Sequence, residues 1–256
     1  MTDAAETPLF SVRNLVKVFP GPGGTAIPAL AGINLDIRRE ECLLIAGSNG
    51  SGKTLLVRML TGLIEPSGGE ILCRGKPLAE SGSRAGLVFQ DADAQIIGET
   101  PEEDAAFGPR NLRFSKDEVE RRVRESLTAV GLAEKRGSPA RRLSGGEKRR
   151  LAIAGVLAMG CETVILDEPF ANLDWPGVVQ TLQIILGLKR TGKTVIILTH
   201  ELEKALAFAD RLVILDRGVI RDDGRPEEVL NRLKPEYGVR DPRRHYDSAE
   251  DCTWLD

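Results

Sequence analysis

The residue types best suited to chemistry occur together in one stretch of this 256-residue chain, Gly47-Ser48-Asn49-Gly50-Ser51-Gly52-Lys53-Thr54. The stretch joins a predicted buried strand, residues 42–46, to a predicted helix that begins near residue 55. Its glycines let successive backbone N–H groups face inward at the helix N-terminus, where they bind an anion. Lys53 supplies a positive charge for β- and γ-phosphates, and the Thr54 hydroxyl is suited to bind Mg²⁺. The pattern therefore predicts a phosphate-binding loop rather than a plain glycine turn.

Two carboxylates end another apolar run, over residues 163–166. Asp167 is suited to bind Mg²⁺ through water beside the phosphate loop, and Glu168 is suited to polarise an attacking water. Plain solubilising charges at a strand end are the alternative, which the presence of a phosphate loop disfavours. His200 follows a further apolar run, residues 194–199. A lone histidine is more often structural, but this position at a strand end favours a contact with a γ-phosphate.

Two more features suggest ligand binding. Gln90 directly follows the predicted strand 86–89, and ligands of open α/β sheets bind at the carboxyl ends of strands, although loop glutamines are common. In Leu143-Ser144-Gly145-Gly146-Glu147, Ser144 and Glu147 have the spacing of a capping box at a helix start. An exposed helix N-terminus is a second anion site. A well-capped helix is the alternative, but it does not explain two consecutive glycines, which weaken a helix start.

The elements that position these residues form an α/β pattern, either one domain with a subdomain or two small lobes. From about residue 101 the chain becomes charged and helical, as an insertion in the α/β pattern. The predicted strands cover residues 9–19, 29–37, 42–46, 70–73, 86–89, 163–166, 194–199, 211–216 and 219–221. The predicted helices cover residues 55–62, 115–131, 145–159, 176–190 and 226–233.

The composition excludes several classes of protein. The chain is 41% hydrophobic and 29% charged, which is ordinary for a soluble protein, and its net charge of −3 gives a nucleic-acid partner no support. Its apolar runs are too short to cross a membrane, and residues 1–6 lack the features of a signal peptide. We expect a soluble intracellular protein. Its isolated cysteines are expected to be free thiols, with disulfides as the alternative: Cys42, Cys73, Cys161 and Cys252.

Taken in chain order, these motifs resemble those of the nucleotide-binding subunits of ABC transporters, over about residues 9–233. The resemblance implies a P-loop NTPase core sheet of the RecA type with an antiparallel β subdomain. A helical subdomain at about 93–160, inserted in the core, would carry the Ser-Gly-Gly signature. The ATPase domain would cover residues 1–233, and the charged tail 234–256 is expected to be poorly ordered.

The resemblance also implies ligands, ATP and Mg²⁺, and a role for each motif. Phe19, which would otherwise be a core aromatic, would stack on adenine, although many members have tyrosine there. Thr54 and Gln90 would surround Mg²⁺ with Asp167, and Glu168 would be the general base. The phosphates would be cradled by the loop residues Gly47, Ser48, Asn49, Gly50, Ser51, Gly52, Lys53 and Thr54.

Other implied roles concern a second subunit. Ser144, Gly145 and Gly146 would touch the γ-phosphate of ATP held by the partner, which would explain the paired glycines. Asp174 would communicate across the interface, and His200 would position the γ-phosphate. Hydrolysis would then require a head-to-tail pair with two-fold symmetry, which ATP joins and hydrolysis separates. The resemblance implies either a homodimer or a heterodimer with a sister ATPase.

Several segments are similar to the energy-coupling-factor and cobalt/nickel importer branch of this family. That branch implies uptake of a vitamin or a transition-metal ion, a transmembrane coupling protein, a separate substrate-binding membrane protein, and a peripheral location on the cytoplasmic face of the cell membrane. Ser48 departs from the proline that is frequent in the loop. The segments are residues 86–91, 95–97, 103–104, 106–109 and 147–155.

Two other functions are weighed against an importer ATPase. A soluble ABC ATPase of DNA maintenance or translation is disfavoured by the single cassette, the absence of a long coiled-coil insertion in the sequence and the absence of a basic excess. The same ATPase class in iron–sulfur cluster assembly is opposed only by the resemblance around Gln90 and Phe107. A nucleotide-regulated interaction module without turnover is disfavoured because Glu168 is present.

Overall fold

The computed structural model describes residues 7–82 and 85–243. The strands are β1 (Phe10–Pro20), β2 (Ala26–Ile37), β3 (Cys42–Ala46), β4 (Gly68–Cys73), β5 (Lys76–Pro77), β6 (Ala85–Val88), β7 (Thr163–Asp167), β8 (Thr194–Thr199), β9 (Arg211–Asp216) and β10 (Val219–Gly224). The helices are α1 (Lys53–Leu60), α2 (Pro101–Asn111), α3 (Lys116–Ala129), α4 (Gly145–Ala158), α5 (Trp175–Arg190), α6 (Leu202–Ala205) and α7 (Pro226–Asn231).

The central sheet has the strand order β10-β9-β3-β8-β7-β6. Strands β9, β3, β8, β7 and β6 are parallel, and β10 closes the edge as an antiparallel hairpin with β9. Every residue of β3, β7 and β8 is buried, as expected for parallel strands that are covered on both faces. The carboxyl ends of these three strands meet at one edge, and the predicted chemical residues lie there. The predicted α/β class is confirmed, with a parallel core sheet of the kind expected for a P-loop NTPase.

An antiparallel sheet, β2-β1-β4-β5, packs beside the central sheet. Successive side chains of a strand point to opposite faces, so β3 contributes to two apolar cores. Leu43 and Ile45 join the core that is shared with α1 and the antiparallel sheet, while Leu44 and Ala46 join the core on the helical side. The strand that leads into the phosphate loop is therefore held from both faces.

Helices α2, α3 and α4 pack against one another as the inserted helical unit. Each begins at a side chain that accepts a hydrogen bond from the N–H three residues later: Thr100, Ser115 and Ser144. The capping box predicted for Ser144 and Glu147 is present in both directions. The predicted apolar face of α3 is buried, at Val119, Val123, Leu127 and Val130.

The structure differs from the sequence-based expectations mainly at the C-terminal end. Residues 234–243 were expected to belong to a poorly ordered tail, but Val239 is buried in the helical-side core, and Arg243 donates hydrogen bonds to Asn231 Oδ1 and the Leu230 carbonyl. Gly238, at φ +64°, lies so close to the phosphate loop that an added Cβ would be 2.9 Å from the Ser48 Cβ. These tertiary contacts hold a segment that lacks local periodicity. The rest of the predicted tail lies outside the described residues.

Smaller differences concern element boundaries and thiols. Strand β2 begins at Ala26 rather than at residue 29, because it pairs with β1 as far as Pro20. Cys42 and Cys73 are buried and form no disulfide with another described residue. Cys161 is buried, and Cys252 lies outside the described residues. No helix within residues 7–82 and 85–243 is long and apolar enough to span a bilayer.

Candidate active site

The predicted phosphate loop lies at the carboxyl end of β3 and ends where α1 begins. At Gly47, a Cβ would lie 2.0 Å from the main-chain oxygen of Leu215 in β9, so only glycine allows this close packing. Gly52, the N-cap of α1, has φ +105°, which strongly favours glycine. The Lys53 ammonium donates hydrogen bonds to the Gly47 oxygen at 2.7 Å and the Ser48 oxygen at 3.2 Å. The loop thus presents backbone N–H groups and a cation at a helix N-terminus.

A cavity of about 370 Å³ lies in front of this loop. It brings together the phosphate loop, the acid pair and the predicted glutamine, which are far apart in the sequence. Its walls are Ala29, Asn49, Gly50, Ser51, Gly52, Lys53, Thr54, Leu55, Gln90, Asp167 and Glu168.

Asp167 ends β7 against the start of α1. The Thr54 hydroxyl donates a 2.8 Å hydrogen bond to Asp167 Oδ2, whereas the buried Oδ1 has no hydrogen-bond partner. The residue is only 5% exposed, and burial raises the pKa of the Asp167 carboxyl. A buried carboxylate oxygen without a partner, beside a hydroxyl group, is an arrangement that fits a hydrated divalent cation. The residues present therefore fit the Mg²⁺ that the sequence led us to expect.

Glu168 follows directly and is also 5% exposed. Its Oε1 lies 3.0 Å from His200 Nδ1 and 3.8 Å from Lys53 Nζ. Burial lowers the pKa of Lys53, while the charges of Glu168 and Asp167 oppose that shift. A carboxylate that faces the cavity and is oriented by a histidine can accept a proton from a water molecule.

The backbone of Glu168 has an unusual conformation for a residue with a side chain. Its φ is +46°, a left-handed value. The Glu168 N–H donates to the Leu198 oxygen in β8 at 2.9 Å, and its carbonyl oxygen accepts from the Ala171 N–H at 3.2 Å. A strained residue of this kind persists where its surroundings fix it, which is common at functional sites.

Sequence reasoning missed the part that Arg149 plays here. Arg149 Nη1 donates to the Glu168 carbonyl oxygen at 2.5 Å, and Nη2 donates to the Gln90 carbonyl oxygen at 3.0 Å. The side chain is only 6% exposed, and burial lowers its pKa. Helical periodicity would have placed Arg149 on a buried face, because the residues three, four and seven positions later are buried: Ala152, Ile153 and Val156.

Gln95 was also missed as a structural residue. Its side-chain oxygen accepts from the Phe89 N–H at 2.9 Å, and its amide donates to the Leu87 oxygen at 3.0 Å. Strand β6 lies at the edge of the sheet and, within the described residues, has no neighbouring strand on one side. The two Gln95 bonds take the place of strand–strand hydrogen bonds there and close the turn that contains Gln90. The turn is thereby held at the end of β6.

The Ser-Gly-Gly signature does not join this cavity. Ser144 and Gly145 are exposed at the start of α4, and none of the three signature residues lines the cavity in front of the phosphate loop. An added Cβ at Gly145 would meet no atom of the described residues within 4 Å. Packing within the described chain therefore does not require glycine there.

Two other predicted site residues lie at the periphery. Phe19 is 41% exposed at the end of β1, with Lys17 Nζ 5.4 Å from its ring centroid, so it is not a core aromatic. Phe19 does not line the cavity, although Ala29 of the neighbouring strand does. Asp174 Oδ1 accepts from the Gly177 N–H at 2.9 Å and caps α5, a structural part that the sequence reading did not give it.

Comparison with known proteins shows what this architecture is similar to. The sequence profile of a family described as ABC transporter matches residues 30–171. The energy-coupling factor transporter ATP-binding protein EcfA of Methanocaldococcus jannaschii is 42% identical over 233 residues, which are 88% of this chain and 83% of that protein. The structure of cbiO1 from Clostridium perfringens, part of the ABC transporter complex cbiONQ, has a TM-score of 0.77 at 35% identity and covers 88% of this chain and 92% of its own.

A second solved structure shows a dimeric ATP-binding cassette in a post-hydrolysis state, bound to ADP and Pi. Its TM-score is 0.75 at 26% identity, and the match covers 85% of this chain and 98% of that chain.

Proposed function

This chain belongs to the ABC transporter family and is an ATPase of that family, and from this premise we propose that it energises a membrane importer of a vitamin or a transition-metal ion such as cobalt or nickel. The single observation that carries the catalytic part is the cavity in which Glu168 and Asp167 face the phosphate loop. The importer part is supported by the similarity to EcfA and cbiO1, which are named as transporter components.

In the proposed mechanism, the loop N–H groups and Lys53 bind the β- and γ-phosphates of ATP, and Lys53 exchanges its two loop carbonyls for phosphate oxygens. Glu168 accepts a proton from the water whose oxygen bonds to the γ-phosphorus, while the bond from that phosphorus to the bridging oxygen breaks and ADP leaves. His200, whose Nδ1 lies 3.0 Å from Glu168 Oε1, would position the γ-phosphate and help to hold the Glu168 carboxylate. The protein contributes mostly orientation and electrostatic stabilisation.

Mg²⁺ would be held by the Thr54 hydroxyl and the Gln90 side chain, with Asp167 binding through water. When bound, the ion neutralises charge that develops on the phosphates. The orphaned Asp167 Oδ1 supports this assignment.

We further propose that two ATPase subunits act as a head-to-tail pair, either two copies of this chain or this chain with a sister ATPase. Ser144, Gly145 and Gly146 of one subunit would contact the γ-phosphate held by the other, and Asp174 would lie near that interface. The open space at Gly145 supports this pairing, because it leaves room for a phosphate from outside the chain. The dimeric neighbour with ADP and Pi supports it as well. Phe19 would stack on the adenine.

The helical unit would dock on a transmembrane coupling protein at the cytoplasmic face of the membrane. Ile97 and Phe107 are large exposed apolar residues of the segment that contains this unit. Large exposed apolar residues on a helical unit are suited to contact a membrane partner. A substrate-binding membrane protein would complete the importer.

The Glu168→Gln variant tests the catalytic proposal. We expect ATP binding to be retained and hydrolysis to fall about 100-fold or more, because the amide cannot accept the proton. The matched control is Glu203→Gln, at an exposed glutamate of α6, which we expect to hydrolyse ATP at the normal rate. Unchanged hydrolysis by Glu168→Gln would reject Glu168 as the base.

Capture tests the importer proposal. Tagged Glu168→Gln protein is incubated with detergent-solubilised membranes of its source in Mg²⁺ and ATP, with the same sample lacking ATP as the control. Polytopic membrane proteins are expected to co-purify, and reconstituting them with wild-type ATPase should give ATP-dependent uptake of a vitamin or metal ion. Recovery of soluble proteins alone would contradict the importer while leaving the ATPase assignment intact.

A further inference from the structure

We infer that Arg149 is a positioning residue for hydrolysis, which fixes the catalytic glutamate and the Gln90 turn to the helical unit through one guanidinium. The inference deepens the proposed function and rests on Glu168 being the general base. It concerns a side chain that does not line the cavity in front of the phosphate loop.

The backbone of Glu168 is strained. A left-handed backbone at a residue with a side chain costs roughly 1–3 kcal/mol and needs support from its surroundings. Three hydrogen bonds give this support. The Glu168 N–H donates to the Leu198 oxygen, and the Glu168 oxygen accepts from the Ala171 N–H and from the Arg149 guanidinium. Of these donors and acceptors, only Arg149 uses a side chain, and it is charged, which makes it the stronger type of hydrogen bond.

Arg149 also holds the turn at Gln90. Gln95 fixes the start of this turn at Leu87 and Phe89, but neither bond reaches the Gln90 carbonyl. Arg149 Nη2 binds that carbonyl at 3.0 Å. One planar group therefore spans two main-chain oxygens that belong to different elements, the turn after β6 and the residue after β7.

The guanidinium that makes these contacts comes from the helical unit. Arg149 lies in the first turns of α4, the helix that the signature opens, so it belongs to the helical unit while its two acceptors belong to the core. The preceding residue adds an ion pair to the segment that follows Gln90, from Lys148 to Asp93. A shift of α4 is therefore expected to move the Gln90 turn and the Glu168 backbone together.

Arginine suits this position for a geometric reason. Its rigid fork has donors pointing in separate directions, whereas a lysine ammonium is a single point at the end of a flexible chain. A neighbouring arginine provides a comparison, because Arg150 is also largely buried and also donates to a main-chain oxygen, that of Val130 at 3.1 Å. Val130 follows α3 within the helical unit, so Arg150 makes no connection to the catalytic residues.

The test compares Arg149→Met, Arg149→Lys and the control Arg150→Met in the full chain. Each is assayed for the ATP dissociation constant, kcat, KM and thermal midpoint. We expect Arg149→Met to lower kcat about 10- to 100-fold, since a misplacement of the base by about 1 Å has such an effect, with the ATP dissociation constant within about twofold. Arg149→Lys should keep the ATP affinity but recover little of the kcat. Arg150→Met should lower the thermal midpoint and change kcat little.

A second comparison separates positioning from general damage. In a Glu168→Gln background, adding Arg149→Met is expected to lower residual single-turnover hydrolysis much less than it does in the wild type, because no base is left to misplace and only the Gln90 contact is lost. An additive loss in the double variant would indicate a merely structural role and overturn the inference. Full kcat in Arg149→Met or Arg149→Lys would overturn it as well. If Glu168→Gln alone hydrolyses ATP normally, the proposed function fails instead, so the two failures are distinguishable.

Discussion

Replacing Asp167 by Asn is expected to make the nucleotide-free protein more stable while it removes Mg²⁺-dependent hydrolysis. The carboxyl is 5% exposed, burial raises its pKa, and its Oδ1 lacks a hydrogen-bond partner. Asn has the same shape, and its oxygen can still accept the 2.8 Å hydrogen bond from Thr54. The amide also leaves one buried polar atom unpaired, so the gain comes from removing the charge and amounts to about 1 kcal/mol. That corresponds to roughly 2–4 °C in the thermal midpoint.

The pH dependence gives this prediction its sign. Because the pKa of Asp167 is higher in the folded than in the unfolded chain, the folded state binds more protons between the two values. The stability of the wild type relative to the variant therefore falls as pH rises through that window. The advantage of Asp167→Asn should increase as pH rises through the raised pKa of Asp167 and should disappear below the unfolded pKa of about 3.9, where the carboxyl is protonated in both states.

The assay is unfolding in urea or by heat at several pH values in EDTA, with Asp117→Asn as the control at an exposed position of α3. With Mg²⁺ and ATP the order should reverse, since a ligand at 100 times its dissociation constant adds about 2.7 kcal/mol to the wild type and less to the variant. A variant that is less stable than the wild type at pH 7 in EDTA, or whose advantage grows on acidification, would refute the reasoning.

Two other substitutions test the loop and the exposed aromatic. Gly47→Ala should destabilise the protein by about 2 kcal/mol or more in urea, because the new Cβ would lie 2.0 Å from the Leu215 oxygen. Gly137→Ala, where an added Cβ meets nothing within 4 Å, should change stability by less than about 0.5 kcal/mol, and equal effects of the two would contradict the packing account. Phe19→Ala should weaken ATP binding about tenfold in a fluorescent-nucleotide competition, with little change in thermal midpoint. Trp175→Ala, at a 78% exposed aromatic that does not line the cavity, should leave binding unchanged, and unchanged binding in Phe19→Ala would reject the stacking role.

The sequence was most informative where one residue type fits one environment. Parallel strands covered on both faces appear as continuous apolar runs, so β3, β7 and β8 could be predicted together with the residues that follow them. The phosphate loop could be predicted because its glycines, cation and hydroxyl have fixed spacing. Their convergence with Gln90, Asp167 and Glu168 on one cavity follows from the sheet order. The ligands assigned to these residues remain predictions.

The parts that escaped prediction depend on main-chain atoms or distant contacts. Arg149 binds two carbonyl oxygens, and a carbonyl oxygen is present at every residue, so its partners leave no pattern in the sequence. The positive φ of Glu168 is likewise imposed by neighbouring elements rather than by a glycine. Residues 234–243 have little periodicity, and their order comes from packing against the rest of the fold.

Because Gly238 approaches Ser48 closely, the residue types that each of these two positions can accept are expected to depend on the other, although the positions are remote in the sequence. Any side chain at 238 would press on the phosphate loop, so we expect glycine to be favoured there even though the position lies outside every motif. A bulkier residue at 48 is expected to crowd the C-terminal segment at Gly238. Exchange of loop sequences between relatives should therefore succeed more often when residues 235–239 are exchanged with them.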